Sequence, residues 1–352
     1  MKQDVKYFRE HSRQQTDRLS GMSINFGLTL PQRGAFIGLG SISDILSLAP
    51  RAEETGLFSS VWVGDSITAK PRPESVALLG ALAGMTEKLR LGVGCMASFS
   101  VRDPALFAYQ WATLDLISEG RMDLAACTGI VAADGASRAE GRHFGGATDI
   151  DRAALMEENM RLCRLLWSGE EVDFEGRFHS YSGLRIQPKP VQDPCPIWIA
   201  ANPAPGKYWE RSLRRVARLA DGFQTCVLAP GVLRLMVDDV LKYKQEEQKT
   251  SKEFPVMAYH NVNIGKKREH CLDESQKFLD AYYGPVFSPQ QVEPWTAAGT
   301  PDEVISDIKE LIDQGATAVT LRMTSPNQDA QFRLLTEHVL PAFTEPNTNL
   351  RR

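Results

Sequence analysis

The sequence is short of the features that usually mark a chemistry on sight. No CxxC pair occurs among its six cysteines, Cys95, Cys127, Cys163, Cys195, Cys226 and Cys271. That speaks against a zinc site or a disulfide framework and for a reducing, cytoplasmic compartment. No apolar run approaches the ~18–20 residues of a membrane span. The first twenty residues, MKQDVKYFREHSRQQTDRLS, contain no apolar stretch and do not read as a secretory leader. Neither sign of charge dominates: 40 Lys and Arg stand against 44 Asp and Glu, for a net charge of −4. This gives no electrostatic case for a nucleic acid or an anionic membrane as partner. There is no HExxH, no Ser-His-Asp grouping and no cluster of carboxylates. No metal site is assigned, and metal-assisted hydrolysis and acyl transfer both lack support.

What the chain does have is length and alternation. Its 352 residues, 43% of them hydrophobic, suit one large barrel-type domain or two ordinary ones. Short apolar runs alternate with longer runs of helical period. The strand candidates are 23–30, 57–64, 89–96, 121–129, 196–201, 222–227, 254–265 and 316–323. Helices are expected between them, one opening at Asp103-Pro104 as cap and first helical position, and one closing at Gly56. Eight strand-then-helix units with near-continuously apolar strands imply parallel pairing and close most economically into a (β/α)8 barrel. The alternative, a doubly wound open sheet with a second domain, would want a linker, and none is evident. Residues 23–345 are therefore expected to form a single barrel domain, with 1–22 a mobile arm or oligomer contact and 346–352 a tail. Two stretches exceed ordinary connections, one after strand four (129–150), expected to be a lid, and one before strand five (169–195). In the second, Val172, Phe174 and Phe178 alternate around Glu175-Gly176, the pattern of a small hairpin.

Candidate site residues lie where strands end. GVGCMA, Gly92–Ala97, formally fits a dinucleotide fingerprint, but its glycines sit inside the strand. They read better as backbone that a planar ligand can approach closely. NPAPG, 202–206, ends a strand and opens a helix; the N–H groups of Gly206, Lys207 and Tyr208 would suit a phosphate, with a plain turn as the alternative. Arg211, Arg214, Arg215 and Arg218 fall mostly off that helix's apolar stripe and are expected on its solvated face. Asp65 and Ser66 follow strand two and Cys127 and Thr128 end strand four; each is a ligand contact or a local turn and core residue. Cys95, Cys127 and Cys226 read as small core residues before nucleophiles. His143 in the long loop and His260 in the seventh strand are the histidines nearest a plausible mouth. A barrel without an evident acid–base or metal set suggests that a cofactor carries the chemistry.

Taken together, three runs carry a resemblance. AEETGLFSSVWVGDS through RMDLAACTG, the hairpin-and-loop run LLWSGEEVDFEGRFHSYSGLRIQPKPVQDPCPIWIAANPAPGKYWERSLRRVARLADGF, and AGTPDEVISDIKELIDQGATAVTLR are similar to the bacterial luciferase-like superfamily of flavin-dependent monooxygenases and deazaflavin (F420) oxidoreductases. The resemblance spans about residues 23–342 and implies a TIM barrel with insertions. It implies that Gly94-Cys95-Met96 backs the isoalloxazine, often with a bulge or non-proline cis peptide there. Asp65-Ser66 matches an Asp-His pair, with serine in place of histidine; Thr128 matches a polar ligand; Ala201, Asn202 and Gly206 match a phosphate loop. The activity implied is that of a monooxygenase using reduced FMN and O2 on a small organic substrate through a flavin C4a-peroxide. Its FMNH2 would come from a separate flavin reductase, and a homodimer is implied. Candidate catalytic residues are His143, His260 and Cys95. The alternatives are an F420-dependent hydride-transfer oxidoreductase, for which the serine at 66 counts against, and a non-catalytic flavin-binding protein.

Overall fold

The structure is a computed structural model, and it describes residues 24–129, 140–141, 143–144, 149–203, 206–249 and 254–344. The arm, the tail, most of the expected lid (130–139, 142, 145–148) and positions 204–205 of the Pro-rich loop lie outside the described residues. Eight parallel strands close on themselves. In order round the ring they are β1 Asn25–Thr29, β2 Ser60–Val63, β3 Arg90–Met96, β4 Met122–Ala126, β7 Ile197–Ala200, β8 Gly222–Thr225, β9 Val256–Ile264 and β11 Ala318–Met323. The ring is sealed where β11 pairs with β1 and β8 with β9. Between β4 and β7 stands the antiparallel hairpin β5 Val172–Glu175 and β6 Ser180–Leu184. This is the (β/α)8 barrel that the alternation implied, with the second insertion where expected. One element was missed: β10, Thr296–Gly299, adds in parallel to the far end of β9. Its four residues, TAAG, have no β-branched apolar residue to announce a strand.

Helices cover the outside, and their local signals are legible. The helix Pro104–Ile117 starts where the Asp103 carboxylate accepts from Leu106 N at 2.7 Å with Pro104 behind it. It turns Phe107, Ala108, Trp111 and Ala112 inward onto the strands. The expected helix at 43–56 is two pieces, Ile42–Leu46 and Leu48–Thr55, with Gly56 at φ 66° as its left-handed stop.

Strand alternation sends one set of side chains outward to the helices and the other into the barrel. Outward go Leu28, Val61, Val63, Leu91, Val93 and Ile199, all buried in the main core. Inside, the floor is made by two indoles, Trp62 and Trp198, with ring centroids 6.2 Å apart at 67°. Each lies against a glycine that is its register partner on the next strand: Trp62 opposite Gly92, Trp198 opposite Gly222. A Cβ on Gly92 would stand 2.2 Å from Trp62 Cε3, and one on Gly222 2.4 Å from Trp198 Cδ2. The first glycine of GVGCMA, read from sequence as room for a planar ligand, is room for the chain's own tryptophan. Gly92→Ala and Gly222→Ala should each destabilise by about 1–3 kcal/mol, the usual overpacking range. Denaturant unfolding checks this, and unchanged midpoints in both variants would mean that the indoles do not fill the floor.

Candidate active site at the barrel mouth

The C-terminal ends of the barrel strands are tied together by a few buried polar groups, and these ties decide what faces the mouth. At the end of β2, Asp65 is buried, and its Oδ1 accepts from Ser75 Oγ at 2.7 Å and from Arg102 Nη2 at 3.3 Å. Its Oδ2 accepts from Ser98 N at 2.7 Å. The carboxylate is thus committed to the wall, where it fastens β2 to the segment after β3 rather than facing a ligand. The next residue differs: Ser66 Oγ is buried with no partner among the described residues, the condition of a hydroxyl left for something that binds.

At the end of β3 the Gly94–Cys95 peptide is cis, and the pairing with β4 slips a residue between Gly94 and Met96. Cys95 therefore packs inside with Trp62, Ala125, Trp198 and Met257, while Met96 joins the core between barrel and helices. Of the expected Gly94-Cys95-Met96 surface, the structure brings only the first two to the interior. Gln224 of β8 crosses beneath them, its Nε2 2.5 Å from where a Gly94 Cβ would sit. Cys127, at the end of β4, is held well above the ordinary thiol pKa by a hydrogen bond with Cys95 and then by burial. Burial pushes Cys226, one residue past β8, up to about 12. Both stay thiols at neutral pH, as core residues do.

Arg152, fully buried on the helix Asp149–Leu166, was not singled out from sequence, yet it spans two strand ends. Its Nε donates to Thr128 O at 2.8 Å and its Nη2 to Ala97 O at 3.1 Å. Among the described residues the Thr128 hydroxyl meets only Gly129 O, at 3.5 Å, and it is half-buried at the mouth. Past β7, Ala201 is buried and donates its N–H to Gln224 O at 3.0 Å. Asn202 Oδ1 accepts from Cys226 N and Sγ at 3.0 and 3.3 Å, so its side chain holds the loop to β8. A groove of about 240 Å³ opens beside it, bounded by Asn202, Pro203, Val227, Ala229 and Gln290.

Gly206, at φ 56° and ψ −132°, precedes the helix Lys207–Leu219 and leaves its first turn without a side-chain cap. Nothing lies within 4 Å of where its Cβ would be. Uncapped N–H groups at an open helix start form an anion seat. Lys207 is exposed, its ammonium 5.6 Å from the Tyr208 ring centre. The helix's arginines take the outer face as expected. Arg214 pairs with Glu210 and Glu246, while Arg215 and Arg218 share Glu157.

The two histidines are not brought to the reacting end together. His143 is exposed and stands edge-on to Phe144. His260 is buried on β9, and the unbroken register with β11 gives it the same outward face as Ala258 and Val262. Tyr259 and Asn261 take the inward positions instead. His260 Nδ1 has no partner among the described residues, and burial drives its pKa from 6.5 to about 3. Among the described residues no group of three His, Cys, Asp or Glu could hold a metal, and no helix is long and apolar enough to cross a membrane.

The barrel with its mouth of this form has known counterparts. A family model described as luciferase-like monooxygenase matches residues 24–318. The chain belongs to that family. It is a luciferase-like oxidoreductase of TIM-barrel fold. It is 26% identical over 327 residues to an F420-dependent glucose-6-phosphate dehydrogenase of Amycolatopsis mediterranei, covering 85% of this chain and 93% of that one. It is 25% identical over 326 residues to the enzyme of the same name from Rhodococcus hoagii, with the same coverage. The crystal structure of a monooxygenase from Streptomyces bottropensis superposes with a TM-score of 0.75 at 21% identity, over 91% of this chain and all of that one.

His260 supplies a pH test that is independent of ligands. Its folded pKa, about 3, lies below its unfolded value near 6.5. The stability tied to its neutral form is complete above that unfolded value and is lost as pH falls toward the folded one. The expected loss from this site is about 1.4 kcal/mol per pH unit within that window. Urea unfolding of the wild type and His260→Leu from pH 7 to 4.5 should show a shallower acid limb in the variant. Parallel limbs would mean that His260 titrates normally in the fold.

Proposed function

We propose that this luciferase-like oxidoreductase is F420-dependent and moves a hydride between the deazaflavin and a small substrate at the barrel mouth. The observation that carries the reading is the alignment with F420-dependent dehydrogenases along 93% of their length, at 26% identity. The residues present fit a phosphate-bearing tricyclic cofactor. The open, uncapped helix start at Gly206–Tyr208 suits its phosphate. The Gly94–Cys95 peptide, backed by Gln224 and Trp62, offers a flat wall for the ring. Ser66 Oγ and Thr128 Oγ1 are the uncommitted hydroxyls beside it. When bound, F420 would supply a two-electron carrier that does not react with O2. The chain's own part is to bind and orient it: Asp65 and Arg152 hold the strand ends in register, and Asn202 holds the phosphate loop against β8.

A second reading has its own observation. Serine stands at position 66, where the resemblance places histidine; that favours reduced FMN with O2, with a separate reductase as partner. Direct titration decides between the two. The expected result is a dissociation constant for F420 in the low micromolar range or tighter and much weaker binding of FMN. Tight binding of FMN with none of F420 reverses the assignment. For the phosphate seat, Gly206→Asp should weaken cofactor binding by about 2 kcal/mol, roughly 30-fold, through charge repulsion and a backbone angle that side chains disfavour. Unchanged affinity in that variant would remove the loop from the site.

A further inference from the structure

The mouth has a second charged side. In the eight-strand ring β1 lies four places from β7 by either route, so the region above β1 faces the helix start at Gly206 across the barrel. Four cations gather there from three separate stretches: Arg33 after β1, Lys70 and Arg72 after β2, and Arg322 on β11. Arg322 is buried and by alternation points inward with Ala318 and Thr320. Its Nε and Nη2 donate to Asn261 Oδ1 at 3.1 and 2.8 Å, and its Nη1 donates to Tyr283 OH. Its guanidinium carbon lies 5.2 Å from the Tyr282 ring centre, and that of Arg33 lies 5.0 Å from the same ring. Arg33 Nε reaches Pro71 O at 3.0 Å, which sets it between Lys70 and Arg72. Arg72 folds back over the end of β2, its Nη1 2.6 Å from where a Gly64 Cβ would sit.

Among the described residues no carboxylate forms an ion pair with any of these four. Several half-buried arginines elsewhere do have one: Arg90 has Asp123, Arg102 has Asp65 and Glu74, and Arg215 has Glu157. Like charges gathered in a partly dry space, with no counter-charge, are costly. Donors are also left over: Arg33 Nη1, Arg72 Nε and Asn261 Nδ2 are buried with no partner. Burial first, then the charges of Arg33 and Arg72, lower the pKa of Lys70. A bound anion would reverse that second effect.

We propose that Arg33, Lys70, Arg72 and Arg322 form the seat for a dianionic oxyanion on the substrate, a phosphate monoester. The unpartnered Arg33 Nη1 and Arg72 Nε and the Lys70 ammonium supply donors for its oxygens, Arg322 with its own donors spent on Asn261 and Tyr283 adds charge, and two negative charges answer a cluster with no acid of its own. The inference rests on the site being an oxidoreductase mouth with its cofactor phosphate at the β7 side. It adds the class of substrate and the residues that select it.

Calorimetric titration of the cofactor-free protein with inorganic phosphate, and with glucose 6-phosphate against glucose, tests it without requiring turnover. Lys70→Met and Arg72→Met are suitable variants because both side chains are only partly buried. Each should weaken binding of phosphate and of the phosphate monoester at least tenfold. Each should leave the thermal midpoint and the F420 or FMN affinity within twofold of wild type, and glucose should not bind measurably. Gly206→Asp should retain the phosphate binding. If the wild type binds neither phosphate nor the monoester at millimolar concentration, or the two Met variants bind as wild type does, the proposal is overturned. Loss of phosphate binding in Gly206→Asp alone overturns it too, by placing the anion at the cofactor seat. Because inorganic phosphate is read without any cofactor, a wrong cofactor assignment would leave this result standing.

Discussion

The interior of a closed eight-strand barrel has a fixed width, and here two tryptophans fill it. Trp62 and Trp198 meet edge-on, each lying over a glycine on the strand beside it. Protein interiors tolerate neither voids nor excess methylene groups, so the indoles and the glycines must be chosen together. With the floor closed at this level, anything that binds must do so above it, at the strand ends. Gly94 and Cys95 rest directly on the indoles, so the flat wall of the mouth inherits its position from that packing.

Around the barrel the structure repeats one electrostatic device. A glutamate carboxylate accepts three successive backbone N–H groups from a loop distant in sequence. Glu53 takes those of Glu87, Lys88 and Leu89. Glu158 takes those of Arg177, Phe178 and His179 at the hairpin turn. Glu140 takes those of Ile67, Thr68 and Ala69 at 2.7, 2.7 and 2.8 Å. Burial alone would raise the pKa of Glu53, and the N–H donors bring it below its ordinary value. Bonds to an ionised acceptor are the stronger kind, about 1.5–3 kcal/mol each when made. Three loops are thereby held without regular structure of their own.

The barrel itself was legible in the sequence because alternating strands and capped helices are local patterns, and Asp103, Pro104 and Gly56 act where those patterns put them. The site was legible only where it is local. The open helix start at Gly206 and the hydroxyls at Ser66 and Thr128 stand at strand ends, as their positions in the sequence imply, and remain candidates. His260 was not readable, because β9 is buried on both faces and its phase is set by pairing with β11. The resemblance implies Met96 at the mouth, but the slip after Gly94, which no composition reveals, turns it into the core. A glycine inside a strand looks the same whether a ligand or an indole comes close to it, and that hid the role of Gly92. Arg322 carried a signal, a charge within the apolar run AVTLRM. Its companions Arg33, Lys70 and Arg72 come from other loops, and only the fold assembles them.

Glu140 lies midway along the first long insertion, some seventy residues after the loop it grips. Lys70 and Arg72 follow immediately on the three amides that it holds. The two connections, one after β2 and one after β4, are therefore a single mechanical unit joined through one carboxylate. Exchanging either connection alone with that of a relative would strand three N–H groups or orphan an acid. Transplanting either connection between members of this family would have to move both pieces as a matched set.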